Sequence, residues 1–511
     1  MSEPTPAGVA SSVTSDVLPQ GTLDAALGDY AAGQALALTD AERWPTLSHE
    51  GFARLASVRG HGAAPLWVHE CGDRLDGADH EHLRLVAGDL TSRASLPQAP
   101  ATSAPPWLAS FLARVQRTVP RYRAIARHDG HRERSLADFA PVSREDLRRS
   151  IADFVPVDVP LDRVLEGSSS GSTGAAVVVP LHPVSTAAEV VMFRHLAARV
   201  GVEWRPAPGR LALANVVDQR AAFTYASMLT ALTAVTGQAG AAMARVNLHP
   251  SAWRDVADRA AFLSAMDPQV ISSSPLALLA LVDLGLDLSP IVVFSGATHL
   301  TPAARLRVER AWGAPVVDVY GAREAGLVAV DLRGGRAVSE HVVLPRRVYV
   351  EILDAAGCPV PDGDRGEVTV TVDDNPYLPL VRYRTGDMAA VRRAPEPDGT
   401  VSTTLLGLEG REPLRLLTAA GTWVPSVDAT QVIQAYGVAA WHLHQTSDGS
   451  VLFAALVPRD DVGRESARDA GLAVERLLGR PVETTPVYCA EDLEGGAKRR
   501  FSTDLDTGGG T

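Results

Sequence analysis

The chain has 511 residues, a formal net charge of −12, 46% hydrophobic and 21% charged residues. That length exceeds one ordinary core and calls for at least two domains. The acidic balance argues against nucleic acid as the main partner, since such binding needs a basic surface. Three scattered cysteines, Cys71, Cys358 and Cys489, form no CxxC pair and suggest neither a disulfide framework nor a structural zinc site. The start, Met1-Ser2-Glu3-Pro4, lacks the basic and apolar regions of a secretory signal. No apolar run is long enough to span a bilayer. A cytoplasmic protein with no membrane partner is expected.

Residues 1 to about 20, rich in Ser, Thr and Pro, read as a loose tail. Residues 21 to about 95 read as helical, with Leu83, Val86 and Leu90 on one face. Pro97, Pro100, Pro105 and Pro106 mark a linker, and Trp107–Val115 opens a second helical region. Ser143 is the expected N-cap of a helix whose first turn carries Glu145 and Asp146. From about 160 to 410 strands alternate with helices. Expected strands are Ala175–Val179, Leu211–Ala214, Val270–Ser273, Ile291–Phe294, Val316–Val319 and Glu367–Val372, and expected helices include Thr186–Arg199 and Pro302–Ala311. This alternation predicts an α/β fold. Past Arg411, the segments Trp441–Gln445, Val451–Val457, Gly463–Leu478 and Val482–Val487 read as a small α+β unit.

The run Gly167-Ser168-Ser169-Ser170-Gly171-Ser172-Thr173-Gly174 carries the most information. Glycines let the backbone approach a ligand, and bare N–H groups with hydroxyls can surround phosphate oxygens. It is not a Walker A loop, because Ala175 stands where Lys is required. Gly167–Gly171 also matches G-x-S-x-G, but a nucleophile elbow follows a strand and opens a helix, whereas a strand follows here. The bland reading is a surface linker. Three later segments weigh against it: Asp318-Val319-Tyr320-Gly321-Ala322-Arg323-Glu324, Tyr383-Arg384-Thr385-Gly386-Asp387 and Gly410-Arg411. Each alone reads equally well as a turn, a salt-bridged hairpin or a solvated charge.

In order, these four pieces resemble the adenylate-forming (AMP-binding) enzyme superfamily, and most closely its phenylacetate–coenzyme A ligase-like branch. The resemblance covers about residues 105 to 505. It implies a large multi-sheet adenylate-forming N-terminal domain with a smaller mobile α+β C-terminal domain. The expected units are 1–100, an extra helical region with its tail; 101–410, the adenylation domain; and 411–511, the C-terminal domain.

The implied activity joins a carboxylic acid to the α-phosphate of ATP and then transfers the acyl group, to coenzyme A or to an amine acceptor. Ser169, Ser170, Gly171, Ser172, Thr173 and Gly174 would hold phosphates. Asp318, Tyr320 and Gly321 would hold adenine, with Ser295, Gly296 and Ala297 closing its other side. Asp387 and Arg411 would hold ribose, and Glu324 would hold Mg²⁺. Phe223 and Tyr225, with Met228 and Met243, could meet an aromatic or apolar acid or else belong to the core.

The pattern is broken in places. Ala175 replaces a lysine. Arg323 replaces Thr or Ser, and its guanidinium either supplies the lost charge or pairs with Glu324. Pro413 stands where the family swivels. Gly496 falls at the register of the late catalytic lysine, which leaves Lys498 as the candidate. A nucleotide-binding homologue that has lost catalysis, and a serine hydrolase using Ser169, are the rival readings. The resemblance is compatible with a homodimer.

Overall fold

The structure, a computed structural model, describes residues 38–92, 99–100, 105–126, 135–169, 177–220, 222–334, 338–396, 400–410, 414–489, 492–493 and 500–505. Two helices, α1 (His49–Arg59) and α2 (Gly77–Ser92), precede a two-stranded antiparallel pair, β1 (Leu165–Ser169) and β2 (Val177–Leu181). Helix α3 (Pro183–Arg199) leads into the alternating region. This comprises β3 (Leu213–Val217), β4 (Tyr225–Met228), β5 (Ala242–Asn247), β6 (Val270–Ser273), α4 (Pro275–Asp283), β7 (Val292–Gly296), α5 (Pro302–Trp312) and β8 (Val316–Ala322). Antiparallel strands follow: β9 (Gly326–Asp331), β10 (Glu340–Val343), β11 (Val348–Leu353), β12 (Gly366–Val372), β13 (Leu380–Pro395) and β14 (Thr400–Glu409).

All twelve strands from β3 to β14 join one sheet in the order β11-β12-β13-β14-β10-β9-β8-β7-β6-β3-β5-β4, with Ala99–Pro100 added beside β14. Strands β5, β3, β6, β7 and β8 are mutually parallel. Every residue of β3, β6 and β7 is buried, as a parallel sheet covered on both faces requires. The strand-to-helix joints repeat one device. Ser274 caps α4 and Thr301 caps α5, each followed by proline at the first helical position. The Ser143 cap forms as expected, and the Ser143 amide in turn donates to the Asp146 carboxylate.

The expected strands and helices occur, with ends shifted by a few residues. Val270–Ser273 and Val482–Val487 keep their bounds. Leu211–Ala214 becomes Leu213–Val217, because Leu211 and Ala212 already bond to Met266 and Ala242 outside the ladder.

Leu83 and Leu90 of α2 are buried, and Val86 packs beside them. They join Trp44, Leu55, Val58, Cys71 and Leu75 in the same apolar cluster as the parallel strands. The backbone of 66–69 also bonds to Ala252 and Thr224, so the N-terminal helices cover the β4 edge of the sheet. A separate core lies beyond residue 414. There α6 (Ser426–Gln434) and α7 (Asp461–Leu478) pack on a four-stranded sheet, β17-β16-β15-β18, made of β15 (Ala440–Gln445), β16 (Val451–Leu456), β17 (Val482–Val487) and β18 (Phe501–Thr503). The Thr301 hydroxyl donates to the Ala439 carbonyl at 2.8 Å and docks this unit on α5.

Asp73 lies under the N-terminal cover, 6% exposed. It accepts hydrogen bonds from the Thr230 hydroxyl and the Leu75 amide. Burial pushes its carboxyl up to about 7 from an ordinary 3.8. The folded state therefore binds this proton more tightly than the unfolded chain. Stability should fall as pH rises through that interval and level off above 7. Asp73→Asn is expected to flatten the dependence. Between pH 5 and 8 its melting temperature should drop less than that of the wild type, by the equivalent of a few kcal/mol at about 1.4 kcal/mol per unit. Parallel melting curves would refute the assignment.

Candidate active site

The carboxyl ends of the parallel strands carry the motif residues, where open α/β sheets place their ligand crevices. Tyr320 is the fifth residue of β8, and Asp387 lies in β13. In a flat sheet four strand spacings, about 19 Å, would separate them. Instead the Tyr320 hydroxyl donates to Asp387 Oδ2 at 2.8 Å, with Thr385 Oγ1 at 3.2 Å. The sheet reaches this geometry because β13 is bulged. Residues 380–384 and 388–389 pair with β12, Met388 and residues 390–395 pair with β14, and the register against β12 slips between Arg384 and Met388. The bulge turns Asp387 out of the ladder and toward β8.

The turn is braced from behind. Glu367 takes Arg384 Nη1 on one oxygen at 2.6 Å and the Gly386 amide on the other at 3.1 Å. Thr385 Oγ1 donates to the Val368 carbonyl at 2.9 Å and accepts the Asp387 amide at 3.1 Å. The Tyr320 hydroxyl is held well above its ordinary pKa by burial and by the Asp387 charge, so it stays a donor.

Glu324 follows Tyr320 on the connection to β9 and is 6% exposed. The Tyr383 hydroxyl hydrogen-bonds to it, and burial with the Glu324 charge raises the Tyr383 pKa well above normal. The other carboxylate oxygen, Oε1, is buried with no hydrogen-bond partner. An orphaned anionic oxygen is costly and fits a cation ligand. Among the described residues no group of three or more His, Cys, Asp or Glu could enclose a metal. A single carboxylate suits a Mg²⁺ ion held otherwise by phosphate and water. Arg323 is also 6% exposed, so it is no solvated surface charge.

Ser295 and Gly296 end β7 beside Asp318 and Val319 of β8. Ala297 then adopts φ +68°, a left-handed conformation that costs energy for a residue with a Cβ. Asp318 is 7% exposed and pairs with His341 Nε2 at 3.2 Å. Burial raises its pKa, and His341 opposes the shift. Gly321 is required for another reason. A Cβ there would lie 2.6 Å from the Gly326 carbonyl across the tight β8–β9 turn.

Tyr320, Asp318, Glu324, Asp387 and the Ser295–Ala297 corner thus meet on the β8–β13 side. Asp387 also adjoins the chain leading to Arg411, since a Cβ on Gly410 would lie 3.6 Å from its Oδ1. Ser169 ends β1 opposite Val177 of β2, so both flanks of the Ser/Gly run are fixed on paired strands, and a strand rather than a helix follows the run. Ser170, Gly171, Ser172, Thr173, Gly174, Arg411 and Lys498 lie outside the described residues, as do Ala175, Pro413 and Gly496. Tyr225 and Phe223 stand apart from this group. Tyr225 is 1% exposed on the terminal strand β4, five spacings or about 24 Å from β8, and both rings pack on His69.

The bracing residues escaped the sequence reading. Arg382 adopts φ +52° and is 4% exposed. It ties β13 to Glu351, to the Phe139 carbonyl and to the Gly357 carbonyl. Its sequence signal is only one more arginine before the motif. Tyr383 and Glu367 likewise show their roles only through the fold.

Residues 169–373 match the family described as AMP-binding enzyme. The chain is 28% identical over 298 residues to phenylacetate–coenzyme A ligase of Escherichia coli (strain K12), a match covering 54% of this chain and 64% of that enzyme. It is 32% identical over 129 residues to the phenylacetate–coenzyme A ligase of Aromatoleum evansii, covering 24% of this chain and 29% of that enzyme. The chain thus spans less than two thirds of these relatives' length. Among solved structures, 2-hydroxyisobutyryl-CoA ligase in the postadenylation state shares the fold with a TM-score of 0.55, at 17% identity and over 80% of this chain and 91% of that one. The bulged β13, the tyrosine–aspartate contact and these matches agree: residues 169–373 match the AMP-binding enzyme family, and the chain is similar over about half its length to phenylacetate–coenzyme A ligases.

Proposed function

We propose that the protein activates a carboxylic acid with ATP as an acyl-adenylate and passes the acyl group to coenzyme A. The observation that carries this reading is the convergence of Tyr320 and Glu324 with Asp387, from two separate chain segments. An acid oxygen attacks the α-phosphorus and pyrophosphate leaves. The coenzyme A thiol, giving up its proton, then attacks the acyl carbon and AMP leaves. The phenylacetate–coenzyme A ligase names of the relatives favour the thiol as acceptor over an amine.

The residues' tasks follow from their surroundings. Asp387 offers two acceptor oxygens to a pair of ribose hydroxyls while Tyr320 fixes one of them. The Tyr320 ring offers a face for the base. The strained Ala297 corner supplies backbone groups against the other side. Glu324, steadied by Tyr383, would hold Mg²⁺. The ion would neutralise charge on the phosphates during transfer. The Ser/Gly run between β1 and β2 would supply N–H groups to the β- and γ-phosphates. Most of the acceleration in such a site comes from positioning and charge stabilisation.

The test is acid-dependent exchange of labelled pyrophosphate into ATP, followed by mass spectrometry of products with and without coenzyme A. Absence of exchange with every acid, despite ATP binding, would favour a lapsed nucleotide-binding protein. An amide formed only with an added amine would move the acceptor. Glu324→Gln keeps the shape and loses the charge. It should slow exchange on the order of 100-fold and raise the Mg²⁺ concentration needed for half-maximal rate. Asp387→Ala should raise the ATP Michaelis constant roughly 10- to 100-fold with little change in kcat, as the loss of charged hydrogen bonds implies. Tyr320→Phe should raise it by only about threefold, because the ring remains. Wild-type constants in all three variants would refute the site.

A further inference from the structure

A polar row crosses the parallel half of the sheet on one face. Tyr225 of β4 stands opposite Arg245 of β5, Arg245 opposite Asn215 of β3, Asn215 opposite Ser272 of β6, and Ser272 opposite Phe294 of β7. The Phe294 ring lies 4.4 Å from Phe193 of α3, so this face is the one that α3 covers. The four polar members are 1%, 2%, 1% and 0% exposed. Two residues earlier in their strands, the same face carries Leu213, Val270 and Val292, the aliphatic side chains expected inside a covered sheet.

The row breaks that rule at a cost. The side-chain nitrogen and oxygen of Asn215 are both buried with no hydrogen-bond partner, and so is the Ser272 hydroxyl. Buried amides and hydroxyls are ordinarily satisfied, and two orphans side by side call for a common partner. Their position indicates what it is. Ser272 is one residue short of the β6 carboxyl end and Asn215 two short of the β3 end, on the rim where ligands enter such sheets. Measured across the strands from β8, which carries Tyr320, Ser272 is about 10 Å away and Asn215 about 14 Å. An acid whose carboxyl group meets the nucleotide at β7 and β8 would lay its far end over this row.

We propose that Asn215 and Ser272 are specificity residues of the acid pocket and select acids whose tail carries an oxygen, as a hydroxyl or a second carboxylate. This rests on the acyl-adenylate reading. Asn215 offers a donor and an acceptor, Ser272 offers one of each, and the Arg245 guanidinium adds a fixed positive charge at the next position. An unsubstituted aryl or alkyl tail would leave Asn215 and Ser272 unsatisfied, and a site built to bond a polar group discriminates strongly against analogues that lack it.

Pyrophosphate exchange with the full chain tests this through matched acids: phenylacetate, 4-hydroxyphenylacetate and 4-carboxyphenylacetate, and hexanoate, 6-hydroxyhexanoate and adipate. At least one oxygen-bearing acid should exceed its unsubstituted partner about tenfold or more in kcat/KM. The hydroxyl and carboxylate arms show which oxygen is read. Asn215→Leu and the smaller change Ser272→Ala should each bring the ratio below about threefold while exchange with the unsubstituted acid is kept or increased. Equal or better use of unsubstituted acids by the wild type would overturn the proposal, as would a ratio unchanged in both variants or a row satisfied by internal water alone. Exchange with unsubstituted acids only would remove this inference and leave acid activation standing. Absence of exchange with every acid would remove both.

Discussion

The short contact between Tyr320 and Asp387 depends on a single strand that belongs to two ladders. β13 is 16 residues long, far longer than its neighbours. β12 holds it on both sides of the bulge, a bridge from Val142 reaches Tyr383, and β14 pairs with it from Met388 onward. The bulge brings a carboxylate that is four strands distant along the sheet against the ring of β8. A regular strand would keep Asp387 in its ladder and leave Tyr320 without it. The bulge is therefore a requirement of the site and not a defect of the sheet.

Buried charges hold the surrounding segments. Arg346 pairs with Glu189 of α3 at 2.9 Å and with Asp374, and Glu189 also accepts the Leu327 amide at 3.0 Å. Gly326 fits between them only because it lacks a Cβ, which would lie 2.4 Å from the Glu189 oxygen. The peptide directly after Glu324 thus rests on an ion pair that cannot shift without uncovering a buried charge. Asn375 does similar work on the other side. It donates to the Pro180 carbonyl and accepts the His182 amide, which ties the end of β2 and the start of α3 to the β12–β13 connection. Both flanks of the candidate site are fixed by protein contacts alone, the arrangement that preorganised electrostatic catalysis needs.

The sequence revealed what local rules encode. Alternation of apolar runs with helices marked the parallel strands, and Ser143 and Pro302 marked helix starts. Motif order marked Tyr320, Glu324 and Asp387. The hidden part is nonlocal. Nothing near Arg382 says that it will adopt a left-handed conformation and bind a carbonyl 243 residues away. Glu351, Glu367 and Glu189 read as ordinary charges until the sheet puts each opposite an arginine. The N-terminal helices read as an appendage, yet their apolar side chains complete the core beneath the β4 edge.

The parallel half of the sheet shows the same limit from the opposite direction. Aromatic and sulfur side chains near 223–243 read as core or as a pocket for an apolar acid, because composition weighs residues without regard to face. The pleat sorts them differently. Ala226 and Met228 of β4 point to one side, and Tyr225 and Ser227 to the other. Register then carries Tyr225 to Arg245, Asn215 and Ser272, none of which is conspicuous in its own segment. Each is one polar residue inside an apolar strand. Only pairing places them side by side, and only burial makes their unsatisfied atoms costly. A row of that kind in an otherwise aliphatic layer lowers the stability of the sheet unless a ligand repays it. That places the chemical signature of the acid in the strand register and leaves little of it in the aromatic content of the chain.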